Sequence, residues 1–427
     1  MYLKSLKTTI TIRLITEREC GMKILILGVG AQGSTVARRM DEEEKVSQVI
    51  CADYDPKAVN DLVKDLKKGK GLQVDANDIE SIKMAAQGVD LIVNGLPLQF
   101  GKNVLEAALA VKCNYQDFAA TEAIHEDWVE GIKIMYDIYG KRFKEIGKTA
   151  IIGTGSAPGL ICVAARHTMR YLDTCETIYN IVYEGVEAKR FLPFWWSPVT
   201  ALSDMAGLPS AYVNGELIKV EPFSGPIFRK YDYLDKEIKL VEHDHDEPVH
   251  MGLNAKEYFK DAKNIYFKYA GAGVTFAEPL YKLGLLSKKP RIFEGNEINT
   301  FNLVLENIPP APKYKEEIAE ILEEGLISDT GAMVVEAYGT KDGKSVRVET
   351  HVFAPGLVES FERAGITSEM YLTGQGGALF TKMFVEDKYT QTGLISSDML
   401  TFDQVDYYRA CAEKLDITME TKVVDLD

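Results

Sequence analysis

The sequence predicts an α/β protein in which a doubly wound parallel sheet is followed by a second domain of the α+β type. Two observations lead to this prediction. Short apolar runs alternate with helical segments over residues 22–152, as a parallel sheet with crossover helices requires. From Gly153 onward, long extended segments with turn signals such as Asn214-Gly215 replace that alternation.

The most specific signal lies at the start of the first domain. An apolar strand at residues 24–27 leads directly into Gly28-Val29-Gly30-Ala31-Gln32-Gly33, and a helical segment follows. A second strand, residues 46–52, ends on Asp53. Strand, glycine loop, helix and terminal acid together form the dinucleotide-binding fingerprint of a Rossmann domain.

The residues of the glycine loop have distinct predicted roles. Gly28 permits the tight turn, and Gly30 lets the backbone approach a pyrophosphate that sits on the helix N-terminus. Gly33 lets the helix pack closely against the strand. Ala31 and Gln32 complete the loop and are predicted cofactor contacts.

Asp53 is predicted to accept hydrogen bonds from the adenosine ribose. A carboxylate at this place would repel a 2′-phosphate, so we expect NAD to be preferred over NADP. NADP stays possible, because Lys57 is nearby and Arg38 and Arg39 can approach from the helix.

The remaining elements of the first domain follow in order along the chain. Predicted helices at residues 56–68, 79–87, 102–111 and 128–146 alternate with predicted strands at residues 72–74, 91–93, 114–118 and 149–152. Ligands bind at the carboxyl ends of parallel strands. Asp75, Asn94 and the nearby Pro97 are therefore predicted cofactor contacts, and Asp117 ends a strand at the same edge.

The second half contains fewer regular signals. We predict a helix at residues 159–171, a strand at residues 177–184, and a hairpin whose arms, residues 334–338 and 346–353, flank Asp342-Gly343. The predicted domains are residues 22–152 for the dinucleotide and residues 153–370 for the substrate.

Residues 1–21 are expected to form an N-terminal extension. They carry four basic residues and no continuous apolar core, so a secretory signal is not indicated. Met22-Lys23 is typical of the start of a Rossmann strand, which suggests a misassigned start codon. The alternative is an ordered edge strand at residues 8–14, where β-branched residues are dense.

Composition limits the classes of partner. The net charge of −15 argues against nucleic acid or an anionic membrane as a partner. No apolar stretch approaches the ~20 residues that span a bilayer. Six cysteines occur without a CxxC pair, which fits a reducing cytoplasm and suggests neither a zinc site nor a disulfide framework.

Further motifs carry a resemblance to a known family. They are Asp90-Leu91-Ile92-Val93-Asn94-Gly95-Leu96-Pro97, Asn114-Tyr115-Gln116-Asp117, Gly155-Ser156-Ala157-Pro158-Gly159-Leu160, Trp196-Ser197-Pro198 and Thr373-Gly374-Gln375. With the glycine loop, they resemble the saccharopine dehydrogenase family, which includes lysine 6-dehydrogenases and carboxynorspermidine-type reductases. The resemblance covers residues 22–415.

This resemblance implies an architecture and a chemistry. It implies an inserted second domain that forms the substrate site and dimerises, and a C-terminal segment, residues 371–427, that packs back on the Rossmann domain. It also implies hydride transfer between NAD(P) and a carbon that bears nitrogen in a small amino acid or amine. The expected partners are therefore a small-molecule substrate and a second copy of the chain.

Three functions are carried forward. Ala157 stands where saccharopine-forming reductases tend to carry an acid, and this favours oxidation of the terminal amine of lysine or a lysine-like substrate. The alternative is reductive condensation of an amino acid or polyamine with an aldehyde. A third possibility, from another class, is an NAD-bound sensor or scaffold without turnover.

Hydride transfer at an amine requires a group that takes up or donates a proton. Asp117 is the first candidate, with a helix cap as the alternative interpretation. Glu122 is the second, with an acid of a first helical turn as the alternative. Tyr115 is predicted to help orient Asp117 at the substrate, and a half-buried strand tyrosine is the default interpretation. His351 is a candidate proton relay, although a buried sheet histidine is the default interpretation.

The substrate carboxylate needs a cationic partner. Arg190 lies in a loop that also holds Trp195 and Trp196, and an aromatic wall with one guanidinium suits an amino acid with an aliphatic stem. Arg190 is preferred over Lys189 as the anchor. The alternative for this loop is a dimer interface, where tryptophans are also enriched.

One motif suggests a metal site. Residues 242–247 read Glu-His-Asp-His-Asp-Glu, and His250 follows. Hydride transfer from an amine needs no metal, so we expect a solvated acidic turn here and no metal ligand.

Overall fold

The computed structural model describes residues 21–119 and 124–427. The predicted extension, apart from Gly21, and the candidate Glu122 lie outside the described residues. Within them the predicted fold class is confirmed: a parallel sheet with helices on both faces is joined to a second, mixed sheet.

The strands are numbered in chain order. They are β1 (Met22–Leu27), β2 (Val46–Asp53), β3 (Gly69–Gln73), β4 (Leu91–Asn94), β5 (Asn114–Asp117), β6 (Thr149–Ile152), β7 (Thr174–Ala188), β8 (Ser210–Val213), β9 (Glu216–Lys219), β10 (Ile227–Arg229), β11 (Ile238–Glu242), β12 (Asn264–Gly271), β13 (Arg291–Phe293), β14 (Asn296–Ile298), β15 (Leu326–Lys341), β16 (Lys344–Phe353), β17 (Gly393–Ser396) and β18 (Thr418–Asp425).

The helices are numbered in the same way. They are α1 (Ala31–Glu42), α2 (Pro56–Val63), α3 (Ile79–Ala85), α4 (Gly101–Val111), α5 (Trp128–Ile134), α6 (Gly140–Glu145), α7 (Leu160–Thr168), α8 (Pro198–Ala206), α9 (Glu247–Leu253), α10 (Ala255–Tyr258), α11 (Ala272–Lys282), α12 (Thr300–Asn307), α13 (Lys315–Glu324), α14 (Leu357–Ala364), α15 (Ser368–Val385) and α16 (Phe402–Ala412). Among the described residues, no helix combines the length and the apolar character needed to cross a bilayer.

The first sheet has the strand order β17-β6-β5-β4-β1-β2-β3, and its neighbouring strands are parallel. Strand β1 shows why its sequence is a continuous apolar run. Ile24 and Ile26 enter the core on one face, whereas Leu25 and Leu27 enter the core on the other. A strand buried on both faces cannot carry the polar alternation of a half-exposed strand.

Two predicted elements of this domain have different bounds. Helix α2 ends at Val63 rather than Lys68, and β3 begins at Gly69 rather than Leu72. A Cβ on Gly71 would lie 2.8 Å from Cγ1 of Val59, so glycine lets β3 pass close under α2. The predicted helix at residues 128–146 is divided by a π-helical turn at Met135–Tyr139.

The second sheet has the order β10-β11-β12-β7-β15-β16-β18, with β8 beside β12 and β9 beside β8. Only the β7–β12 pair is parallel among these described pairs, so the sheet is mixed and mainly antiparallel. The β15–β16 hairpin turns at Asp342-Gly343 as predicted, and both arms are longer than the sequence indicated.

The C-terminal segment contributes to both sheets. Helix α15 packs against α1, and a Cβ on Gly374 would lie 2.8 Å from Cβ of Thr35. Strand β17 pairs with β6 at the edge of the first sheet, while β18 pairs with β16 in the second. The segment therefore brings α15 to the boundary between the dinucleotide fold and the second sheet.

Candidate active site

The glycine loop joins β1 to α1 at the carboxyl edge of the parallel sheet. Gly28 has φ of +84°, and a Cβ there would lie 2.7 Å from the carbonyl oxygen of Gly95. A Cβ on Gly33 would overlap the carbonyl of Gly28. Both glycines are thus required by the fold itself.

Gly30 differs from these two residues. Apart from Gly30 itself and its two chain neighbours, no described heavy atom lies within 4 Å of the position that its Cβ would occupy. The space beside Gly30 is therefore open, as a loop that receives a pyrophosphate at a helix N-terminus needs. The residues of this loop fit NAD(P), whose nicotinamide supplies or accepts the hydride when it is bound.

Asp53 lies at the end of β2, beside the loop. Its carboxylate oxygens accept the backbone N–H of Val29, at 2.9 Å, and that of Asp55, at 3.1 Å. The side chain is only partly buried, so it can also accept bonds from a ribose.

We predict that Asp53→Asn narrows the preference for NAD over NADP by about tenfold or more, because it removes a charge that repels the 2′-phosphate. Asparagine keeps an acceptor for Val29, so the loop should hold its shape. Dissociation constants of both cofactors for the parent and the variant measure this effect. Equal affinities of the parent for NAD and NADP would contradict it.

A small cavity of about 170 Å³ adjoins the glycine loop at the ends of β4 and β5. Gln32, Asn94, Asp117 and Thr373 are among the side chains that line it. Asn94 donates a hydrogen bond to the Tyr115 hydroxyl at 3.1 Å, and its Oδ1 accepts the N–H of Leu96.

Asp117 is buried at the end of β5. Its Oδ2 accepts the Tyr115 hydroxyl at 2.9 Å, and its Oδ1 accepts the N–H of Gly153 at 3.0 Å. Burial raises the pKa of Asp117 to about 8, although the bonds from Gly153 and Tyr115 oppose the shift and the charge of Asp246 adds to it. A carboxyl group that changes charge near neutral pH can serve as a proton donor or acceptor.

A larger cavity of about 530 Å³ continues from the small one. The two share the lining residues Gln32, Phe118, Ala119 and Thr373. The larger cavity extends over the faces of β7, β12 and β15 to the start of α15. It is therefore the space that a substrate can occupy beside the nicotinamide end of the dinucleotide site.

Two of the carboxylates that line the larger cavity are Glu184, near the end of β7, and Glu369, in the first turn of α15. Burial raises the pKa of Glu184, although hydrogen bonds from Tyr269 and Trp196 oppose this shift. Burial and the charge of Glu184 raise the pKa of Glu369 to about 7. Two acids that resist ionisation side by side are suited to bind a cation.

The cavity wall carries more acidic than basic side chains. A third acid, Asp329, also lines it but is occupied as the cap of α14, since its oxygens accept the N–H groups of Leu357 and Val358 at 2.7 and 3.0 Å. Among the described residues, no lysine or arginine lines the cavity. Aromatic rings form much of its wall, including Trp196, which lies where the sequence placed a substrate contact.

The motif at residues 242–250 is not the solvated acidic turn that the sequence suggested. Glu242, His243, Glu247 and His250 are buried, and His243 and His245 line the larger cavity. The motif passes from β11 into α9 beneath the second sheet, where aromatic rings cover it. Within the described part of the chain, no cluster of three or more His, Cys, Asp or Glu side chains could hold a metal ion.

Several predicted site residues lie elsewhere. Arg190 pairs with Glu324 at the surface and lines neither cavity, so the structure does not place it at the substrate. Trp195 is buried in a separate core cluster, where its Nε1 donates to the Val186 carbonyl at 3.0 Å. His351 also lies outside the cavity lining and bonds to the Tyr233 hydroxyl at 2.9 Å.

Two predicted cofactor contacts, Asp75 and Pro97, line neither cavity. Asp75 is exposed, and its Oδ1 accepts hydrogen bonds from the backbone N–H and the Nδ2 of Asn77. Its side chain therefore stabilises its own turn. Pro97 precedes a short 3₁₀ turn and does not line the small cavity, although Leu96 and Leu98 on either side of it do.

The sequence did not identify Glu184, Glu369 or His245 as site residues. The only local signal for Glu184 was its position at the end of a predicted strand, and Glu369 lies four residues before the Thr373-Gly374-Gln375 motif. These side chains converge because β7, the connection between β11 and α9, and the start of α15 meet at one cavity.

Comparison with known proteins gives two kinds of match. The family profile described as saccharopine dehydrogenase NADP binding domain matches residues 24–151. Two carboxynorspermidine synthases are similar over 90% of this chain and 93% of their own length: that of Vibrio cholerae is 26% identical over 416 residues, and that of Vibrio alginolyticus is 24% identical over 418 residues.

Among solved structures, the fold is similar to that of saccharopine dehydrogenase (L-Glu forming) from Saccharomyces cerevisiae, with a TM-score of 0.67. The sequence identity is 14%, and the match covers 95% of this chain and 100% of the other. At this identity the similarity concerns the fold alone.

Proposed function

We propose that this protein, which belongs to the saccharopine dehydrogenase family and is an NAD(P)-dependent oxidoreductase, joins an amine to an aldehyde by reducing the C=N bond between them. In this reaction the amine and the aldehyde lose water to form an imine. A hydride and a proton then convert the imine to a secondary amine.

The observation that carries the proposal is the pair Glu184 and Glu369 in a cavity without lysine or arginine among its described lining residues. Such a cavity favours a substrate that brings an ammonium group, because the two carboxylates are better ionised beside a cation. The two Vibrio relatives are carboxynorspermidine synthases, and this similarity supports the same direction of reaction.

Asp117 is proposed to exchange the proton. It lies on the wall of the small cavity, beside residues that also line the larger one, and its carboxyl group changes charge near pH 8. Tyr115 and Gly153 fix both of its oxygens, so the group is held in one orientation. An orientation fixed before the substrate arrives lowers the cost of reaching the transition state.

The second candidate is oxidation of the terminal amine of lysine or a lysine-like substrate. Ala157 lines the larger cavity and brings no charge there. The family resemblance links this residue to amine oxidation. The same pair of acids would bind the second ammonium group of a diamino acid, so the cavity supports this substrate class as well.

Steady-state assays separate these functions. The parent enzyme is incubated with reduced NAD or NADP and pairs of diamines and amino-acid aldehydes, and loss of the reduced nicotinamide is followed. Lysine and diamines with the oxidised cofactors test the opposite direction. Turnover only with lysine and oxidised cofactor would favour the second candidate, and binding of NAD(P) with no turnover in either direction would favour a sensor.

We also propose that the protein forms a homodimer. Leu283, Ile292 and Phe293 lie on or beside the β13–β14 hairpin, and each is more than 60% exposed. Exposed apolar side chains in such proximity are typical of an interface between subunits. Light scattering should give twice the chain mass, and Ile292→Asp with Phe293→Asp should reduce it to that of the monomer.

A further inference from the structure

Among the described residues that line the larger cavity, His245 is the one cationic side chain. Its ring stacks on Phe267, with the centroids 4.1 Å apart and the planes 8° from parallel. Its Nδ1 lies 2.5 Å from Oε2 of Glu247. Stacking and this hydrogen bond together fix the orientation of the ring. Nε2 is the ring nitrogen that does not bond to Glu247.

Glu247 is fully buried at the start of α9, and its other oxygen, Oε1, has no hydrogen-bond partner. A buried carboxylate with so little compensation is costly unless a cation accompanies it. His245 supplies that cation.

The acids around His245 keep it charged. Burial lowers the pKa of His245, but the charges of Glu247, Asp246 and Asp204 and the bond to Glu247 outweigh burial and raise the pKa to about 9. His243, the other ring of the motif, stays neutral because burial lowers its pKa to about 3. The two histidines in this wall therefore differ in charge at neutral pH.

We propose that His245, held by Glu247, binds the carboxylate of an amino-acid substrate whose ammonium group lies at Glu184 and Glu369. This inference rests on the proposed function, since it assigns the carboxylate of the substrate to one end of the same cavity. His245 is close enough to Glu184 for its charge to oppose the rise in the pKa of that acid. A cation beside two acids is the pattern that a zwitterionic amino-acid head requires.

The assignment also orients the substrate. With the amino-acid head at His245, the side chain of the substrate points along the cavity toward Phe118 and Thr373, which the small cavity shares. The reacting carbon is then at the far end of the side chain. This holds for a terminal amine that is oxidised and for a terminal aldehyde that is condensed.

Titration calorimetry of the NAD-bound protein tests the assignment with a matched pair of probes, lysine and cadaverine. Cadaverine is the diamine left when lysine loses its carboxylate. We expect the parent to bind lysine about tenfold or more tightly than cadaverine, as one charged hydrogen bond allows. His245→Gln should reduce this preference to about twofold while cadaverine affinity stays near that of the parent.

The control is His125→Gln. His125 is an exposed histidine that lines neither cavity, and this variant should keep the parental preference. A preference that persists in His245→Gln, or that is absent from the parent, overturns the assignment. Failure of the proposed function appears differently, as intact lysine preference without turnover of any amine and aldehyde pair.

Glu247→Gln tests the role of Glu247 separately. The positive charge of His245 should persist in the parent to about pH 9, so the preference for lysine should be lost only above that pH. In Glu247→Gln the loss should move toward the ordinary histidine value of ~6.5. Burial, which lowers the pKa of His245, also remains and is opposed only by the facing charges of Asp204, Asp246 and Glu184, so the preference should be lost well below pH 9. An unchanged pH profile would remove Glu247 from the assignment.

Discussion

Replacing Asp117 with asparagine should lower turnover by ~10² or more while NAD(P) affinity stays near that of the parent. Asparagine has nearly the same shape and keeps an oxygen for the N–H of Gly153, but it cannot exchange a proton. Single-turnover rates together with cofactor titrations measure the two properties separately. Loss of both together would indicate that Asp117 only shapes the cofactor site.

The pH dependence follows from the pKa of about 8 for Asp117. Below that value the group is protonated and can donate, so reduction of an imine should slow as the pH rises through about 8. Oxidation of an amine needs the ionised form and should accelerate over the same interval. Neither transition should appear in Asp117→Asn, and a parental profile in that variant would contradict the assigned role.

Stability gives an independent readout of the same group. The folded-state pKa lies above the unfolded value of ~3.9, so the folded protein retains a proton that the unfolded chain releases. The stability that this proton contributes is complete below pH ~4 and is lost as the pH rises through about 8. Asp117→Asn cannot ionise, so its melting temperature should fall less than that of the parent over this interval.

The dinucleotide half of the site could be predicted because its signals are local. Gly28, Gly30 and Gly33 lie within one strand–loop–helix unit, and Asp53 ends the next strand. The carboxyl ends of parallel strands meet at one edge, so the order of elements was sufficient to place Asn94 and Asp117 there. Asp75 was chosen by the same reasoning, and its side chain accepts hydrogen bonds within its own turn.

The substrate half could not be predicted in the same way. Glu184, His245 and Glu369 are separated by 61 and 124 positions along the chain and converge only through the second sheet and α15. Arg190 and the two tryptophans were chosen because they are adjacent in sequence. However, Trp195 and Trp196 lie in the loop between β7 and α8, where Trp195 donates to the Val186 carbonyl and Trp196 to Glu184. Arg190 pairs with Glu324 on α13.

The prediction of a solvated acidic turn at residues 242–250 was wrong for a related reason. A run of alternating His and Asp is ordinarily solvated, because each charge is costly to bury. Here the run lies against Phe267 and Tyr269, and each histidine stacks on one of these rings. The compensation comes from β12, which the local sequence of the motif does not indicate.

Glu184→Gln and Glu369→Gln should each weaken the binding of lysine by roughly 10- to 100-fold, the range expected for the loss of one charged hydrogen bond. The same loss should occur with cadaverine, because the ammonium group is common to both probes. This result differs from that of His245→Gln, which should affect lysine alone. Glu324→Gln is the matched control, since Glu324 pairs with Arg190 outside both cavities.

Proton release distinguishes a cation site from a merely structural pair of acids. Near its pKa of about 7, Glu369 retains part of a proton in the free protein because burial and Glu184 oppose its ionisation. A bound ammonium group favours the ionised form of both acids, so binding should expel up to about one proton. Calorimetry of cadaverine binding in buffers with different ionisation enthalpies measures that release. It should be present in the parent and in Glu324→Gln, and it should decrease in Glu369→Gln, where only Glu184 can hold a proton. Equal release in all three proteins would mean that the amine binds away from Glu184 and Glu369.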